Sequence, residues 1–143
     1  MGGGNIFSIN IFSINCQVLL LFPMDRRIFH IKEKLSQDLG GSWSVGEMAA
    51  EFEMSVSYFQ RLFKEKAGTT PSAYLTDLRL DKAVEMLSDP NCFLQIKEIG
   101  FQVGLTNDSH FTSGFKKKYG MTPTEYRAHQ AAIHQSIPPD GQE

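Results

Sequence analysis

Two stretches of this 143-residue chain match each other when the sequence is shifted by 52 places. Nine of the 18 positions from residue 57 to residue 74 are identical to their counterparts, far above chance. The identical positions are Ser57, Phe59, Phe63, Lys64, Lys66, Gly68, Thr70, Pro71 and Tyr74, matched by Ser109, Phe111, Phe115, Lys116, Lys118, Gly120, Thr122, Pro123 and Tyr126. Because a duplicated segment folds twice into the same local structure, the fold is expected to contain two similar units.

Each copy has the pattern of a helix-turn-helix motif. A short helix precedes a turn, and a second helix of about twelve residues ends at a glycine that Thr-Pro follows. The preceding short helix needs a shift of 51, which aligns Glu47 with Glu98 and Met48 with Ile99. The second copy therefore carries one extra residue in its turn, where an insertion is tolerated. Since two copies are too few for a solenoid, the repeat indicates a paired binding device.

Capping residues and apolar spacing predict where the helices begin and end. Apolar residues at spacings of three and four predict an amphipathic helix over residues 26–39. Residues 44–47 form a capping box that starts a short helix. Ser55 is expected to cap the next helix, to about residue 67, and Thr70-Pro71 opens a longer one, to about residue 87. No strand pattern occurs between residues 24 and 135, so the predicted fold class is all-α.

Composition excludes several classes of protein. The chain has 14 Lys and Arg against 16 Asp and Glu, and this net charge of −2 excludes a polybasic, histone-like protein. The longest apolar run, residues 18–22, is too short for a membrane span. Cys16 and Cys92 have neither disulfide-framework nor zinc-site spacing, so a reducing, cytoplasmic location is expected. The sequence offers no nucleophile–base pair, phosphate loop or metal-ligand set, so we expect no enzyme activity, cofactor or metal.

The two ends of the chain differ from its middle. Residues 1–23 have no charged side chain and repeat the unit Ile-Phe-Ser-Ile-Asn in tandem. They lack the basic segment and cleavage site of a secretory signal, so we interpret them as a non-native or disordered leader. Their period-two alternation leaves a β-prone or oligomerisation segment as the alternative. Residues 24–130 are expected to form the folded domain, and residues 131–143 a polar tail.

The second helix of the first copy has the residues of a DNA-reading helix. In such a motif the outward side chains near its N-terminus contact base edges in the major groove. Phe59, Leu62 and Phe63 are expected to face inward because of their helical spacing. The outward residues are Ser57, Tyr58, Gln60, Arg61 and Lys64. Gln and Arg make bidentate contacts with adenine and guanine, so this copy is predicted to read DNA sequence.

The second copy presents fewer base-reading side chains. Phe111 and Phe115 are expected to face inward, and the outward residues are Asp108, Ser109, Thr112, Ser113 and Lys116. Asp108 can accept a hydrogen bond from cytosine, and Thr112 can contact a thymine methyl group. The helix between the copies spans roughly 25 Å at 1.5 Å per residue. That length suits two reading helices about one duplex turn, roughly 34 Å, apart.

Both copies and the segment between them contain recognisable sequence motifs. The first copy contains residues 57–64, Ser-Tyr-Phe-Gln-Arg-Leu-Phe-Lys, and residues 68–71, Gly-Thr-Thr-Pro. The linker contributes Leu-Arg-Leu-Asp-Lys-Ala at residues 78–83. The second copy contributes residues 98–105, 109–111, 115–123 and 126–127. Together these motifs resemble the AraC/XylS family of bacterial transcription regulators. The match covers about residues 27–129, the extent of that family's DNA-binding domain.

The resemblance implies a seven-helix unit with two helix-turn-helix subdomains joined by a long linker helix. It also implies binding to promoter DNA in successive major-groove segments and recruitment of RNA polymerase. The implied base-contacting positions are Ser57, Gln60, Arg61, Asp108, Ser109, Thr112 and Ser113, and the implied phosphate contacts are Lys64, Lys116 and Lys117. Many members have a basic residue where Ser113 stands, and Gly114 is a poor helix former. The second motif is therefore expected to position the protein more than it specifies sequence.

The chain is shorter than typical members of that family, which carry an N-terminal effector-binding or dimerisation domain. A leader of 23 residues cannot build such a domain. Two interpretations remain, a stand-alone regulator or the output domain of a longer one, and the unusual leader favours the second. We expect no small-molecule effector site in this chain. The alternative function is a helical protein–protein interaction module, which leaves the duplicated turn and the outward Gln60-Arg61 pair unexplained.

Charge is concentrated on the two predicted reading segments. Residues 55–68 and 107–120 each carry a net charge of +2, which leaves −6 on the rest of the chain. DNA binding is therefore expected to depend on these two faces and on low-to-moderate salt. On the linker, Arg79 is expected either to reach a phosphate or to pair with a carboxylate such as Asp77 or Asp81.

Overall fold

The computed structural model describes residues 25–137, and this part of the chain contains seven helices. They are α1 (Arg26–Gln37), α2 (Val45–Glu51), α3 (Val56–Ala67), α4 (Pro71–Ser88), α5 (Ile96–Gln102), α6 (Asp108–Tyr119) and α7 (Pro123–Ser136). No β-strand occurs within these residues, in agreement with the all-α prediction. Helices α2 and α3 form one helix-turn-helix motif, α5 and α6 form the other, and α4 links them. The predictions for residues 1–23 and for the end of the polar tail lie outside the described residues.

Polar side chains and glycines set the ends of the helices as the sequence predicts. The Ser44 hydroxyl accepts a hydrogen bond from the Glu47 N–H at 3.1 Å, and the Glu47 carboxylate accepts one from the Ser44 N–H at 2.6 Å. Ser55 caps α3 through its side chain. Helices α3 and α6 both end at a glycine with positive φ, Gly68 at 76° and Gly120 at 80°. Glycine adopts this left-handed conformation without the strain that a Cβ atom causes.

The first helix ends earlier than its apolar spacing predicts. The prediction of a helix to residue 39 was wrong, because α1 stops at Gln37 and Asp38 leaves the helical region with φ −135° and ψ 64°. The Asp38 carbonyl accepts a hydrogen bond from the Trp43 indole at 2.8 Å, which holds the chain in a turn. Leu39 still packs against the core, but from the loop.

Two apolar clusters form, one beneath each motif. The first contains Ile28, Ile31, Leu35, Met48, Ala49, Phe59, Leu62, Phe63 and Leu75. The second contains Leu80, Ala83, Leu87, Ile99, Val103, Phe111 and Phe115. The four inward phenylalanines of the repeat are at most 1% exposed, which confirms the prediction from their spacing. Because α4 contributes to both clusters, it is the structural link between the two motifs.

The two turns differ by one residue, as the change in repeat offset predicts. The turn after α2 passes through Glu53 at φ 54°, and the equivalent position in the second copy is Gly104 at φ 86°. In the first copy Ser55 caps the reading helix two positions later. In the second copy Thr106 is inserted, and the cap is Asn107. Helices α3 and α6 nevertheless begin with the same kind of cap, a side-chain oxygen that accepts a hydrogen bond from a backbone N–H.

The last helix packs against the linker helix. The hydroxyl of Tyr126 in α7 lies 3.2 Å from the Ser88 hydroxyl at the end of α4. Helix α7 continues to Ser136, past the domain boundary predicted at residue 130, so the first part of the predicted polar tail is helical. The side chains of residues 131–137 are exposed.

Candidate nucleic-acid interface

Helix α3 buries its aromatic face and exposes the residues predicted to contact bases. Phe59 and Phe63 are fully buried, with ring centroids 5.8 Å apart. The exposed predicted contacts are Ser57, Gln60, Arg61 and Lys64. Since residues three and four positions apart share a helix face, these four side chains form one continuous polar surface.

Arg61 is restrained by a neighbouring aromatic ring. Its guanidinium carbon lies 5.6 Å from the centroid of the Tyr58 ring, and Tyr58 is 40% exposed. The electron-rich ring face attracts the cation, which favours a position of the Arg61 guanidinium beside this ring. Tyr58 was expected to face outward, but its contact with Arg61 was not predicted.

Helix α6 exposes all of its predicted base contacts. The side-chain oxygen of Asn107 caps the helix by accepting the His110 N–H at 3.0 Å. The exposed residues are Asp108, Ser109, Thr112 and Ser113. The Ser113 hydroxyl donates to the His110 carbonyl at 3.3 Å, so part of its hydrogen-bonding capacity is used within the helix. This face is polar, but none of these four side chains is a cation.

The three lysines at the end of α6 have different surroundings. Lys116 and Lys117 are exposed near the helix C-terminus, where a cation interacts favourably with the helix dipole. The Lys118 ammonium instead lies 2.7 Å from the Asp81 carboxylate and 3.5 Å from that of Asp77, both on α4. Lys118 therefore attaches α6 to the linker helix, and Lys116 and Lys117 supply the outward charge.

Tyr119 strengthens the same attachment by donating its hydroxyl to Asp81. Burial acts to raise the pKa of the Asp81 carboxyl, but the hydrogen bonds from Lys118 and Tyr119 outweigh it and the pKa lies below its usual value. Burial, together with the hydrogen bond to Asp81, raises the pKa of Tyr119. The carboxylate is thus held in its charged form where α6 meets α4.

Arg79 forms no ion pair with a carboxylate of the described residues, which was one of the two contacts expected for it. Its side chain is partly buried and donates to two backbone carbonyls, from Nε to Leu39 and from Nη2 to Gly41, each at 2.8 Å. Burial lowers the pKa of Arg79, and the charge of Asp38 partly opposes this. The residue links α4 to the loop before the first motif.

Neither a metal-binding cluster nor a membrane-spanning helix is found among the described residues. Between residues 25 and 137 no group of three or more His, Cys, Asp or Glu side chains is placed to hold a metal ion. None of the helices in that range combines the length and apolar character needed to cross a bilayer.

Known proteins resemble this chain in both sequence and structure. A family model described as a helix-turn-helix domain matches residues 48–129. The RCS-specific HTH-type transcriptional activator RclR of Escherichia coli is 36% identical over 113 residues, covering 79% of this chain and 38% of the relative. A structure from Chromobacterium violaceum, described as having an AraC-type DNA-binding domain, is 28% identical with a TM-score of 0.65 and covers 74% of this chain and 93% of that chain. The chain belongs to the AraC family.

A second solved structure supports the AraC-type fold. The DNA-binding domain of AdpA, described as a global transcriptional factor in complex with a target DNA, superposes with a TM-score of 0.70 at 22% identity. The superposition covers 77% of this chain and 97% of that domain. The AraC-family chain has the fold of an AraC-type DNA-binding domain, with two helix-turn-helix motifs. It spans less than half of the length of the curated relatives it matches.

Several structural residues of this AraC-family domain were not predicted. The ring of Tyr58 beneath Arg61 follows from their spacing of three along a helix, so the sequence did contain a signal for it. The spacing of four between Asp77 and Asp81 on α4 likewise indicates that they share a helix face. Their partner Lys118 lies on another helix, so the pairing itself could not be predicted. For Arg79 no local pattern pointed to carbonyls in the loop before α2.

Proposed function

We propose that this AraC-family chain binds double-stranded DNA sequence-specifically, with α3 and α6 in successive segments of the major groove. The observation that carries the proposal is the division of both helices into a buried aromatic face and an exposed polar face. A module that binds an apolar partner helix would expose apolar anchors at these positions. The complex of the AdpA domain with its target DNA supports this use of the fold.

We assign base contacts in the first segment to Ser57, Gln60 and Arg61. Arg61 suits the paired acceptors of guanine, and Gln60 suits adenine. The cation–π contact with Tyr58 reduces the freedom that Arg61 loses on binding, because the guanidinium is already restrained. This segment supplies most of the sequence preference in our proposal.

We assign a weaker reading role to α6. Its exposed positions Asp108, Ser109, Thr112 and Ser113 include neither Arg nor Gln, the side chains that recognise purines best. Lys116 and Lys117 would instead contact phosphates, as Lys64 would in the first segment. The attachment of Lys118 to α4 supports this positioning role, because it fixes the C-terminal end of α6.

The duplex bound in the cell is, in this proposal, promoter DNA, and RNA polymerase is the partner at the promoter. The name of the Escherichia coli relative, a transcriptional activator, supports activation. Transcription in a purified system, from a promoter that carries the selected binding site, should increase when the protein is added. A decrease would identify a repressor, and no change would remove the polymerase from the proposal.

Selection of binding sites from random duplexes tests the proposal directly. Arg61→Ala should cost about 1–3 kcal/mol on the selected site and relax the preference at one base pair. Lys64→Ala is the matched control on the same face, because loss of a phosphate contact should weaken all sequences alike. Equal losses on selected and random duplexes for Arg61→Ala would exclude it as a base reader. No binding to any duplex at about 50 mM salt would favour the helical protein-interaction module.

A further inference from the structure

The two motifs meet around one side chain of the linker helix, Arg79. Arg79, in the middle of α4, donates to the carbonyls of Leu39 and Gly41 at 2.8 Å each. These carbonyls belong to the loop between α1 and α2, in the first half of the domain. Arg79 therefore joins the linker helix to the first motif through two directional, charge-assisted hydrogen bonds.

The second motif approaches the same side chain through its turn. A Cβ atom on Gly104 would lie 2.8 Å from the Arg79 guanidinium carbon and 2.8 Å from the Leu39 carbonyl oxygen. A Cβ atom on Gly40 would lie 2.8 Å from the carbonyl oxygen of Gln102, at the end of α5. Both glycines thus permit backbone approaches that any side chain would obstruct. We call this contact of Arg79, residues 39–41, Gln102 and Gly104 the Arg79 junction.

The Arg79 junction matters because the two motifs have separate apolar clusters. Outside the shared helix α4, direct contacts between the halves determine how one reading helix is turned relative to the other. Two linked binding units gain affinity only when their geometry allows both to engage at once. A fixed orientation of α3 and α6 therefore corresponds to one preferred separation of the DNA segments.

We propose that Arg79 is a positioning residue that fixes the orientation of α6 relative to α3, and thereby the number of base pairs between the two segments they contact. The statement about DNA spacing rests on the proposed function, whereas the statement about orientation does not. Guanidinium geometry suits the role, because its two donors engage two carbonyls of one loop in a fixed direction.

The orientation is tested without DNA by distances between spin labels. Glu65→Cys on α3 and Thr124→Cys on α7 place labels at exposed sites outside the proposed DNA contacts, in a background with Cys16→Ser and Cys92→Ser. Arg79→Met should broaden the distance distribution or shift its maximum. Lys82→Met is the matched control, because Lys82 is a cation on the same helix that pairs with Glu85 of that helix. A distribution unchanged by Arg79→Met would overturn the proposal.

The spacing is tested with duplexes in which one base pair is added to or removed from the middle of the selected site. The unaltered protein should lose about tenfold or more in affinity on either change. Arg79→Met should reduce that ratio to a few-fold while each segment keeps its preferred bases. Equal loss of affinity at every spacing would show a general structural role and overturn the positioning role.

Two further variants disturb the Arg79 junction less severely, because one keeps Arg79 itself and the other keeps its charge. Gly40→Ala should press against the Gln102 carbonyl and change both measurements, whereas Gly46→Ala is the matched control because its Cβ would lie 3.7 Å from the Ser44 hydroxyl. Arg79→Lys keeps the charge but not the fork of two donors, and should have an intermediate effect. If Arg79→Met does not fold, Gly40→Ala and Arg79→Lys test the proposal in its place. The proposal would be overturned if neither variant changed the label distances or the dependence of affinity on spacing. If the unaltered protein binds no duplex, the proposed function fails and the label distances alone decide the orientation.

Discussion

Gly114 lies within α6, where an added Cβ atom would be 3.8 Å from a methyl carbon of Leu80 on the linker helix. That distance is an ordinary van der Waals contact, so lack of space does not require glycine here. The backbone freedom of glycine weakens a helix relative to alanine. Gly114→Ala should therefore raise the free energy of unfolding by about 1 kcal/mol, measured by urea denaturation.

Gly100 in α5 is the contrasting control. A Cβ atom there would lie 2.9 Å from the Leu105 carbonyl oxygen and 3.1 Å from the Phe111 ring. The carbonyl belongs to the backbone of the turn and cannot move away without disturbing the motif. Gly100→Ala should destabilise the protein by about 1–3 kcal/mol. Effects of the same sign for the two glycines would contradict the packing described for α6.

Asp81→Asn tests the attachment of α6 to α4 through pH. A carboxyl whose pKa is lower in the folded state stabilises the fold above its unfolded pKa, about 4, and loses this contribution as the pH falls through its folded value. The unaltered protein should be more stable than the variant at about pH 7, by less than about 1 kcal/mol because the side chain is 56% exposed. Thermal melts should show the gap closing as the pH falls below about 4. A gap independent of pH would mean that the charge of Asp81 does not stabilise the contact.

Side chains with local partners could be predicted, and those with distant partners could not. The burial of Phe59 and Phe63 follows from helical spacing alone. Lys116 and Lys118 belong to the same run of lysines, but only Lys118 pairs with Asp81, which lies on another helix. Arg79 bonds to carbonyls 38 and 40 residues away, so its partners depend on the assembled fold.

The cap of α6 determines whether its first turn is formed. Asn107→Ala removes the acceptor for the His110 N–H and should cost about 1 kcal/mol in the free energy of unfolding. Because the first turn carries the proposed base contacts Asp108 and Ser109, affinity for the selected site should fall as well. Asn107→Asp is the matched control, since aspartate caps as well as asparagine. If the alanine and aspartate variants behave alike in denaturation and binding, the cap is not what holds this turn.

The boundaries of the helices were predictable where a cap and a glycine both mark them. Helix α3 begins after Ser55 and ends before Gly68, as predicted. The end of α1 was misplaced because the turn after it depends on the indole hydrogen bond of Trp43, a contact that apolar spacing does not show. After Pro123 at the start of α7, no glycine or proline occurs before residue 138, and the helix continues past the predicted boundary.

The salt dependence of binding reports on the whole charged surface. If Lys64, Lys116 and Lys117 each neutralise one phosphate, the logarithm of the association constant should fall with the logarithm of salt concentration with a slope of about −3. Lys116→Ala should reduce the magnitude of the slope by about 1 and weaken selected and random duplexes alike. Lys82→Ala is the control, because Lys82 pairs with Glu85 on the linker. A slope unaffected by Lys116→Ala would remove Lys116 from the interface.

The repeat predicted two similar units and a linker, but not how the units are turned relative to each other. The +2 charge of residues 107–120 was counted correctly, although Lys118 is engaged with α4. The residues shared by the two copies indicate that the copies fold alike. Their relative orientation depends instead on contacts such as those of Arg79. These contacts join residues far apart in sequence, so neither periodicity nor capping indicates them.

Different sides of the linker helix α4 pack into the two apolar clusters. Leu75 packs into the first cluster and Leu80, five positions later, into the second. At about 100° per residue, these two side chains point about 140° apart around the helix axis. One residue added between them would rotate one motif by about 100° and displace it by about 1.5 Å relative to the other. In the proposed complex, the number of residues in α4 therefore decides on which side of the duplex the second motif lies.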